Sequence, residues 1–166
     1  MSYISTQFII DSMINTIDSS ISLTEKAQDW IKEKKIDGNR LMYSSIIVDM
    51  FPLNKQYSAL IFNYKIILKG LFAIEFQSKS DQEITDLKTA IEKLEEIKEF
   101  IIDQKIDKEV LSKSDSMIPF FGDIEIPEKV YILKYVIPNI YFHSTTLYNI
   151  LRKNGMNLGK KDFLNF

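Results

Sequence analysis

The chain has 166 residues, of which 45% are hydrophobic and 12% aromatic, a composition that suits one packed domain over residues 1–166 and excludes a disordered chain. It has no cysteine and one histidine, which excludes disulfides, thiolate nucleophiles, sulfur-bound zinc and any site with two imidazoles from one chain. The formal net charge of −2 lacks the basic excess that is typical of nucleic-acid binders.

Two long helices are predicted in the first half of the chain. The first spans residues 3–35 and stops at the turn 37–39, and its three- and four-residue steps place on one stripe Ile10, Ile14, Ile17, Ile21, Thr24, Gln28 and Ile31. The second begins near Phe51-Pro52, because proline is tolerated in a first turn. Its inner stripe consists of Leu53, Tyr57, Leu60, Ile61, Tyr64, Leu68, Leu71 and Phe72. Further apolar residues on its other faces, including Ile67, predict a helix that is central in a bundle or part of a subunit interface.

A third helix is predicted to open with a capping box, in which Ser80 and Glu83 satisfy each other's amide groups. The helix ends near Asp103, and one face of it carries Ile84, Leu87, Ile91, Leu94, Ile97 and Ile101. Charged residues occupy the rest of its surface, which indicates a solvated outer face.

The pattern breaks down over residues 105–128, which predicts a long irregular insertion that can include a small β-hairpin. Residues 130–136 are ambiguous, because their β-branched and aromatic side chains favour a strand whereas their position favours the entry to a last helix. That helix spans residues 139–153, Pro138 kinks or restarts it, and residues 154–155 stop it. Four main helices predict an all-α four-helix bundle.

The start of the chain and its most apolar stretch both argue against export and membrane insertion. The N-terminus lacks a basic start followed by an apolar run. Residues 59–76 are the most apolar, but Asn63, Lys65 and Lys69 interrupt them, and a bilayer span needs about 20 mostly apolar residues. We therefore expect a cytoplasmic protein without a membrane partner.

Two blocks of the sequence resemble a known family. Residues 138–155 read PNIYFHSTTLYNILRKNG, residues 158–164 read LGKKDFL, and residues 49–53 read DMFPL, followed by Gln56. These blocks are similar to those of a family of unknown function that is grouped with the DinB/YfiT-like helical bundles. The resemblance implies a DinB-like bundle over nearly the whole chain. The chain departs from the family pattern at Ser45-Ile46, where arginine-leucine is usual, and at Leu147, where alanine is common.

The resemblance also implies where a site would lie. DinB-like proteins typically hold a metal with three histidines, one from the second helix and two from the last, and this chain has only His143. Asp49 can stand for one ligand, and Asn139 lies one turn before His143 on the same face. One imidazole, one carboxylate and one amide make a weaker and harder site. We expect no cofactor and no bound metal, with Asp49 and His143 as weak candidate ligands and a divalent metal left open.

Five residues are candidates for a ligand pocket: Asp49, Gln56, Asn139, His143 and Tyr148. His143 is either packed between helices or a pocket ligand or general base, for which its usual pKa of about 6.5 is suitable. Asp49 either caps the helix after Pro52 or binds a ligand.

Two further contacts are predicted at these candidates. Gln56 is expected to bond to Asp49 or to backbone. Near the end of the last helix, one turn after Tyr148, Arg152 is expected to pair with Asp162 and hold the C-terminal tail.

Two functions remain open at this point. The first is a small-ligand-binding or dimeric interaction protein without the three-histidine centre, whose partners are a second copy and a small molecule. The second is an enzyme with a degenerate DinB-like pocket, in which His143 and Asp49 carry metal-assisted transferase or hydrolase chemistry. A nucleic-acid partner has the least support, because no basic stripe with interleaved aromatic residues is present.

Overall fold

The computed structural model describes residues 6–104, 117–120 and 124–166. Their elements in chain order are α1 (Thr6–Lys34), α2 (Gly38–Met42), α3 (Leu53–Phe72), α4 (Leu87–Asp103), β1 (Met117–Phe120), β2 (Ile124–Pro127), α5 (Glu128–Tyr131), a π-helical turn (Ile132–Val136), α6 (Ile137–Lys153) and α7 (Lys160–Leu164). The four long helices pack around one core in the cyclic order α1, α4, α3, α6. This confirms the predicted all-α four-helix bundle. No helix in these ranges is long and apolar enough to cross a bilayer.

The buried face of α1 is rotated from the predicted stripe. Ile14 and Ile21 are only partly buried, whereas the fully buried positions of the helix are Ile17, Ser20, Leu23, Thr24 and Ala27. Hydroxyl residues therefore occupy core positions, which a count of apolar residues does not detect. These hydroxyl residues are tolerated because each hydroxyl donates to the backbone carbonyl one turn earlier. The Thr24 hydroxyl donates to the Ser20 carbonyl at 2.6 Å, and the Ser20 hydroxyl donates to a carbonyl of the preceding turn at 2.8 Å.

Two tyrosines on α3 complete this buried polar layer. The Tyr57 hydroxyl donates to Thr24 Oγ1 at 2.8 Å, since the Thr24 proton is already given to the Ser20 carbonyl. The Tyr64 hydroxyl donates to Thr16 Oγ1 at 3.1 Å. Burial raises the pKa of both phenols, so both stay protonated donors.

The predicted start of α3 is confirmed, and the interpretation of the segment before it needs two corrections. Residues 37–39 do more than end the first helix, because they also begin the short α2. The Asp37 side chain accepts from the Asn39 N–H at 3.0 Å and caps that helix. Pro52 occupies the N-cap of α3 without a side-chain cap, so the prediction that Asp49 caps this helix is wrong.

Ile67 of α3 belongs to the core and is fully buried, whereas it was predicted to lie on another face of the helix.

The predicted capping box of α4 is wrong, although its end at Asp103 is confirmed. The helix begins at Leu87, and Asp86 caps it by accepting from the Thr89 N–H at 2.7 Å. The segment before it is held outside a helix by tertiary contacts. Glu96 of α4 accepts from the Ser78 hydroxyl at 2.7 Å and from the Lys79 N–H.

The insertion contains the predicted hairpin. β1 and β2 are antiparallel, with Met117 opposite Pro127 and Phe120 opposite Ile124. Of the predicted irregular region, residues 105–116 and 121–123 lie outside the described residues.

The ambiguity over residues 130–136 is resolved as helix, and Pro138 lies in the first turn of α6. Gly70 of α3 permits the π-helical turn to approach, since a Cβ there would lie 2.8 Å from Ile132 Cδ1.

The C-terminal tail is held by contacts other than the predicted pair. Arg152 Nη1 donates to the Met156 carbonyl at 3.0 Å, so its predicted pairing with Asp162 is wrong. Asp162 instead pairs with Lys26 of α1 and accepts from the Gly159 N–H at 2.6 Å. These contacts fix α7 against α1.

Candidate functional site

The site centres on His143, which lies in the middle of α6 and faces the first turn of α3. Its side chain is partly buried, and Nδ1 lies 2.8 Å from Oε1 of Gln56. The two residues are 87 positions apart in the chain, and the packing of α6 against α3 brings them together. We refer to them as the His143–Gln56 pair.

The hydrogen bonds of Gln56 determine which nitrogen of His143 carries the proton. Gln56 is 1% exposed, and its Nε2 donates to the Phe51 carbonyl at 2.8 Å. A buried amide needs partners for both ends, so Oε1 is the atom that faces the imidazole and acts as an acceptor. In the neutral ring Nδ1 must therefore carry the proton, which leaves a lone pair on Nε2.

The surroundings of His143 favour the neutral ring. Burial lowers the pKa of His143 below its ordinary value of 6.5. Nε2 forms no hydrogen bond with any residue in the described ranges. The Phe142 ring lies edge-on to the imidazole, with centroids 5.4 Å apart, and Phe142 and Phe51 are both more than half exposed. The pair thus presents a hydrogen-bond acceptor beside accessible aromatic surface.

Within the described residues, none of the other three candidates is hydrogen-bonded to the His143–Gln56 pair. Asn139 is partly buried on α6, one turn before His143. Asp49 is exposed in the segment before α3, where it forms no hydrogen bond or ion pair with the described residues. The expected contact of Gln56 is therefore to backbone and not to Asp49.

Tyr148 anchors the tail. Its hydroxyl donates to the Leu158 carbonyl at 3.3 Å, and its ring packs on Phe163 at a centroid distance of 5.7 Å. The exposed Phe142 ring beside the imidazole was not among the candidates, because the sequence pattern carries no signal for which aromatic side chains stay exposed.

The donor set at this position does not fit a three-histidine metal centre. One imidazole is present, its Nδ1 is engaged by Gln56, and Nε2 offers one donor atom. Amide oxygens are hard, weak ligands and do not replace imidazole nitrogen. Within the described ranges, no three His, Asp or Glu side chains converge in a ligand geometry.

The lowered pKa of His143 predicts a specific pH dependence of stability. Below about pH 6.5 the unfolded chain takes up a proton that the folded chain resists, so the free energy of unfolding falls as pH drops through the folded pKa. Above about pH 6.5 the ring is neutral in both the folded and the unfolded chain, so the histidine contributes nothing to the slope. The His143→Gln variant should lack this component, and it is a clean reference because the chain has no other histidine. Urea unfolding of both proteins between about pH 7.5 and 5.5 measures it, and parallel curves would contradict it.

Comparisons with known proteins agree on family and fold. The profile of a family described as a domain of unknown function (DUF1993) matches residues 6–164. The chain is similar to the crystal structure, at 1.83 Å resolution, of a DinB family member protein from Shewanella denitrificans, with a TM-score of 0.81 and 22% identity. The match covers 93% of this chain and 88% of that chain, and at this identity it concerns the fold. No curated protein gives a significant match.

Proposed function

Because the chain belongs to the DUF1993 family and has a DinB-like bundle fold, we propose that it binds a small neutral molecule through Nε2 of His143, without a three-histidine metal centre. The observation that carries the proposal is the 2.8 Å contact between His143 Nδ1 and the buried Gln56 amide. This contact orients the ring and leaves one acceptor atom available. A ring held in this way binds without reorganising, which favours affinity.

The chemistry around Nε2 defines the ligand class. A neutral imidazole nitrogen accepts a hydrogen bond, so the ligand carries a hydroxyl or N–H donor. The Phe142 ring lies 5.4 Å from the imidazole between centroids and is more than half exposed, so it offers ring surface that suits a flat apolar body. We therefore propose a ligand of the phenol or indole type, with one donor on an aromatic ring.

A matched pair of probes tests this proposal. We expect p-cresol to bind about 2- to 10-fold more tightly than p-methylanisole, because the ether lacks the donor and a hydrogen bond contributes about 0.5–1.5 kcal/mol. The ring protons of the single histidine report binding by NMR.

Variants of the protein complete this experiment. His143→Ala should abolish the preference for p-cresol, and Gln56→Leu should weaken it, because the ring loses its orienting partner. Thr145→Ala, at an exposed position of the same helix, should retain it. Equal affinity for the two probes, or a preference that survives His143→Ala, would contradict the proposal.

The enzyme alternative has less support. Asp49 is exposed and not bonded to His143, so the two do not form an acid–base pair in this arrangement. The partner of Nδ1 is a neutral amide, which stabilises imidazolium less than a carboxylate does. Acid–base chemistry at His143 would have to use the ring alone.

A second candidate function, formation of a homodimer, is favoured by a separate observation. The segment between α2 and α3 carries exposed apolar side chains, and we call four of them the loop cluster: Tyr43, Ile47, Val48 and Phe51. Lys153 of α6 steadies this segment by donating to the carbonyls of Ser45 and Ile46 at 2.6 and 3.1 Å. An exposed apolar segment that is fixed in place by hydrogen bonds is typical of protein interfaces.

We expect Val48→Asp to shift the chain from dimer to monomer. Val48 is 96% exposed, so the substitution leaves the core unchanged and places a charge in the loop cluster. Phe62→Asp is the matched control, because Phe62 is 63% exposed on α3 and lies outside the loop cluster. Sedimentation equilibrium of the three proteins measures the effect. A wild-type chain that stays monomeric at about 100 μM would contradict the proposal, since that implies affinity too weak for a stable interface.

A further inference from the structure

A cavity lies where α1, α3 and α6 meet, and neither member of the His143–Gln56 pair lines it. The cavity measures about 240 Å³. Its deep wall is formed by Ile9, Met13, Ile67 and Ile140, each at most 4% exposed, so it reaches the bundle core. The entrance has Phe8 and other partly exposed apolar side chains around it.

The polar atoms that line this cavity already have partners. The Thr16 hydroxyl donates to the Met13 carbonyl at 2.8 Å and accepts from Tyr64. Ser12 Oγ and the Tyr141 hydroxyl bond to each other at 2.7 Å, joining α1 to α6. None of the lining residues carries a formal charge. Water therefore finds few partners in this space, and an apolar occupant meets no unsatisfied group.

The dimensions favour a small molecule over a protein segment. A cavity of about 150 Å³ with apolar walls takes up benzene, so 240 Å³ suits a molecule of about ten non-hydrogen atoms. A helix is about 10 Å wide and would not reach the floor at Ile67.

We propose that this cavity binds an uncharged, mainly apolar small molecule of the alkyl-aromatic class. Any single hydroxyl or carbonyl on the ligand would lie at the Ser12–Tyr141 bond, where both hydroxyls can exchange partners. This site is independent of the proposed function at His143, because it depends on different residues and on burial of apolar surface in place of a hydrogen bond to imidazole.

Methyl NMR with xenon and n-butylbenzene as probes tests the proposal. We expect saturable shifts of the methyl groups of Ile9, Met13, Ile67 and Ile140. The methyl groups of Ile97 and Ile101, in the α4 part of the core, are the internal control and should not shift. Hydrocinnamate, which places a carboxylate where n-butylbenzene has its alkyl end, should bind at least 10-fold more weakly.

Two variants fill the cavity from opposite walls. Ile137→Trp acts from α6 and Ser12→Phe from α1, and each should weaken n-butylbenzene binding at least 10-fold while the other methyl signals stay native. Phe62→Trp is the control outside the cavity, and His143→Ala should leave the affinity unchanged, which separates this proposal from the first. Absence of saturable shifts, equal binding of hydrocinnamate, or unchanged affinity in both filled variants would overturn it.

Discussion

Replacing Gln56 by glutamate is expected to raise the pKa of His143 from below its ordinary value to above it, because a carboxylate at this distance favours the charged ring. In the native chain the amide Oε1 lies 2.8 Å from Nδ1 and carries no charge, so burial alone sets the direction of the pKa shift. With glutamate, Nδ1–H would donate to an anion and the imidazolium would be stabilised. An NMR pH titration reads this directly, since His143 is the only histidine.

Gln56→Leu is the matched control for this substitution. It removes the acceptor without adding a charge, so the pKa of His143 should stay below 6.5.

The pH dependence of the free energy of unfolding also differs in sign between Gln56→Glu and the native chain. In Gln56→Glu the raised folded pKa adds stability below the unfolded pKa, and this is lost as pH rises through the folded pKa. The native histidine, with its lowered pKa, loses stability as pH falls. If the pKa of His143 were the same in Gln56→Glu as in the wild type, that result would contradict the contact between the side chains of His143 and Gln56.

Tyr57→Ala is expected to lower the free energy of unfolding by about 3–5 kcal/mol, the range for truncating a fully buried large aromatic side chain. Tyr57 is 0% exposed, and its hydroxyl donates to Thr24 at 2.8 Å between α3 and α1. Truncation removes the ring from the core and leaves a cavity between the two helices. Urea or thermal unfolding measures the loss.

Tyr57→Phe separates the hydroxyl from the ring. It should cost only about 1 kcal/mol, because Thr24 keeps its bond to the Ser20 carbonyl and one hydrogen bond is lost. If Tyr57→Ala cost no more than Tyr57→Phe, the Tyr57 ring would not be part of the core, and the buried polar layer that joins α3 to α1 across the bundle would be wrong.

The parts of the fold that local signals determine could be predicted from the sequence. The start of α3 after Pro52 and the end of α4 at Asp103 follow from proline chemistry and apolar periodicity. The start of α4 could not be predicted, because Ser80 offers as good a local cap as Asp86. The contacts of Glu96 with residues 78–79 determine which of the two caps α4, and these contacts form only in the folded bundle.

The buried face of α1 shows a second limit of the sequence pattern. Ser20 and Thr24 are polar in any scale of hydrophobicity, yet they occupy the centre of the core. Their burial depends on Tyr57 and on backbone carbonyls of the same helix. Thr24 was on the predicted stripe and Ser20 was not, and the tyrosine that bonds to Thr24 lies 33 residues away, so no local window contains that hydrogen bond.

For the candidate site, the matching blocks of sequence contained both members of the His143–Gln56 pair but gave no geometry between them. Gln56 and His143 were both candidates, and the structure joins them by a hydrogen bond. Asp49 and Tyr148 lay in the same blocks, but Asp49 is exposed and Tyr148 bonds the tail. Spacing along a helix indicates which residues share a face, and it cannot show which one meets a partner on another helix.

His143 is expected to be a neutral ring with its proton on Nδ1 and an available lone pair on Nε2. Nitrogen-15 NMR of the imidazole at about pH 7.5 tests it most directly, because one histidine gives one unambiguous set of signals. We predict a protonated, pyrrole-type Nδ1 and an unprotonated, pyridine-type Nε2, with loss of this preference in Gln56→Leu. A proton on Nε2 in the wild-type chain, or a charged ring at this pH, would contradict the account.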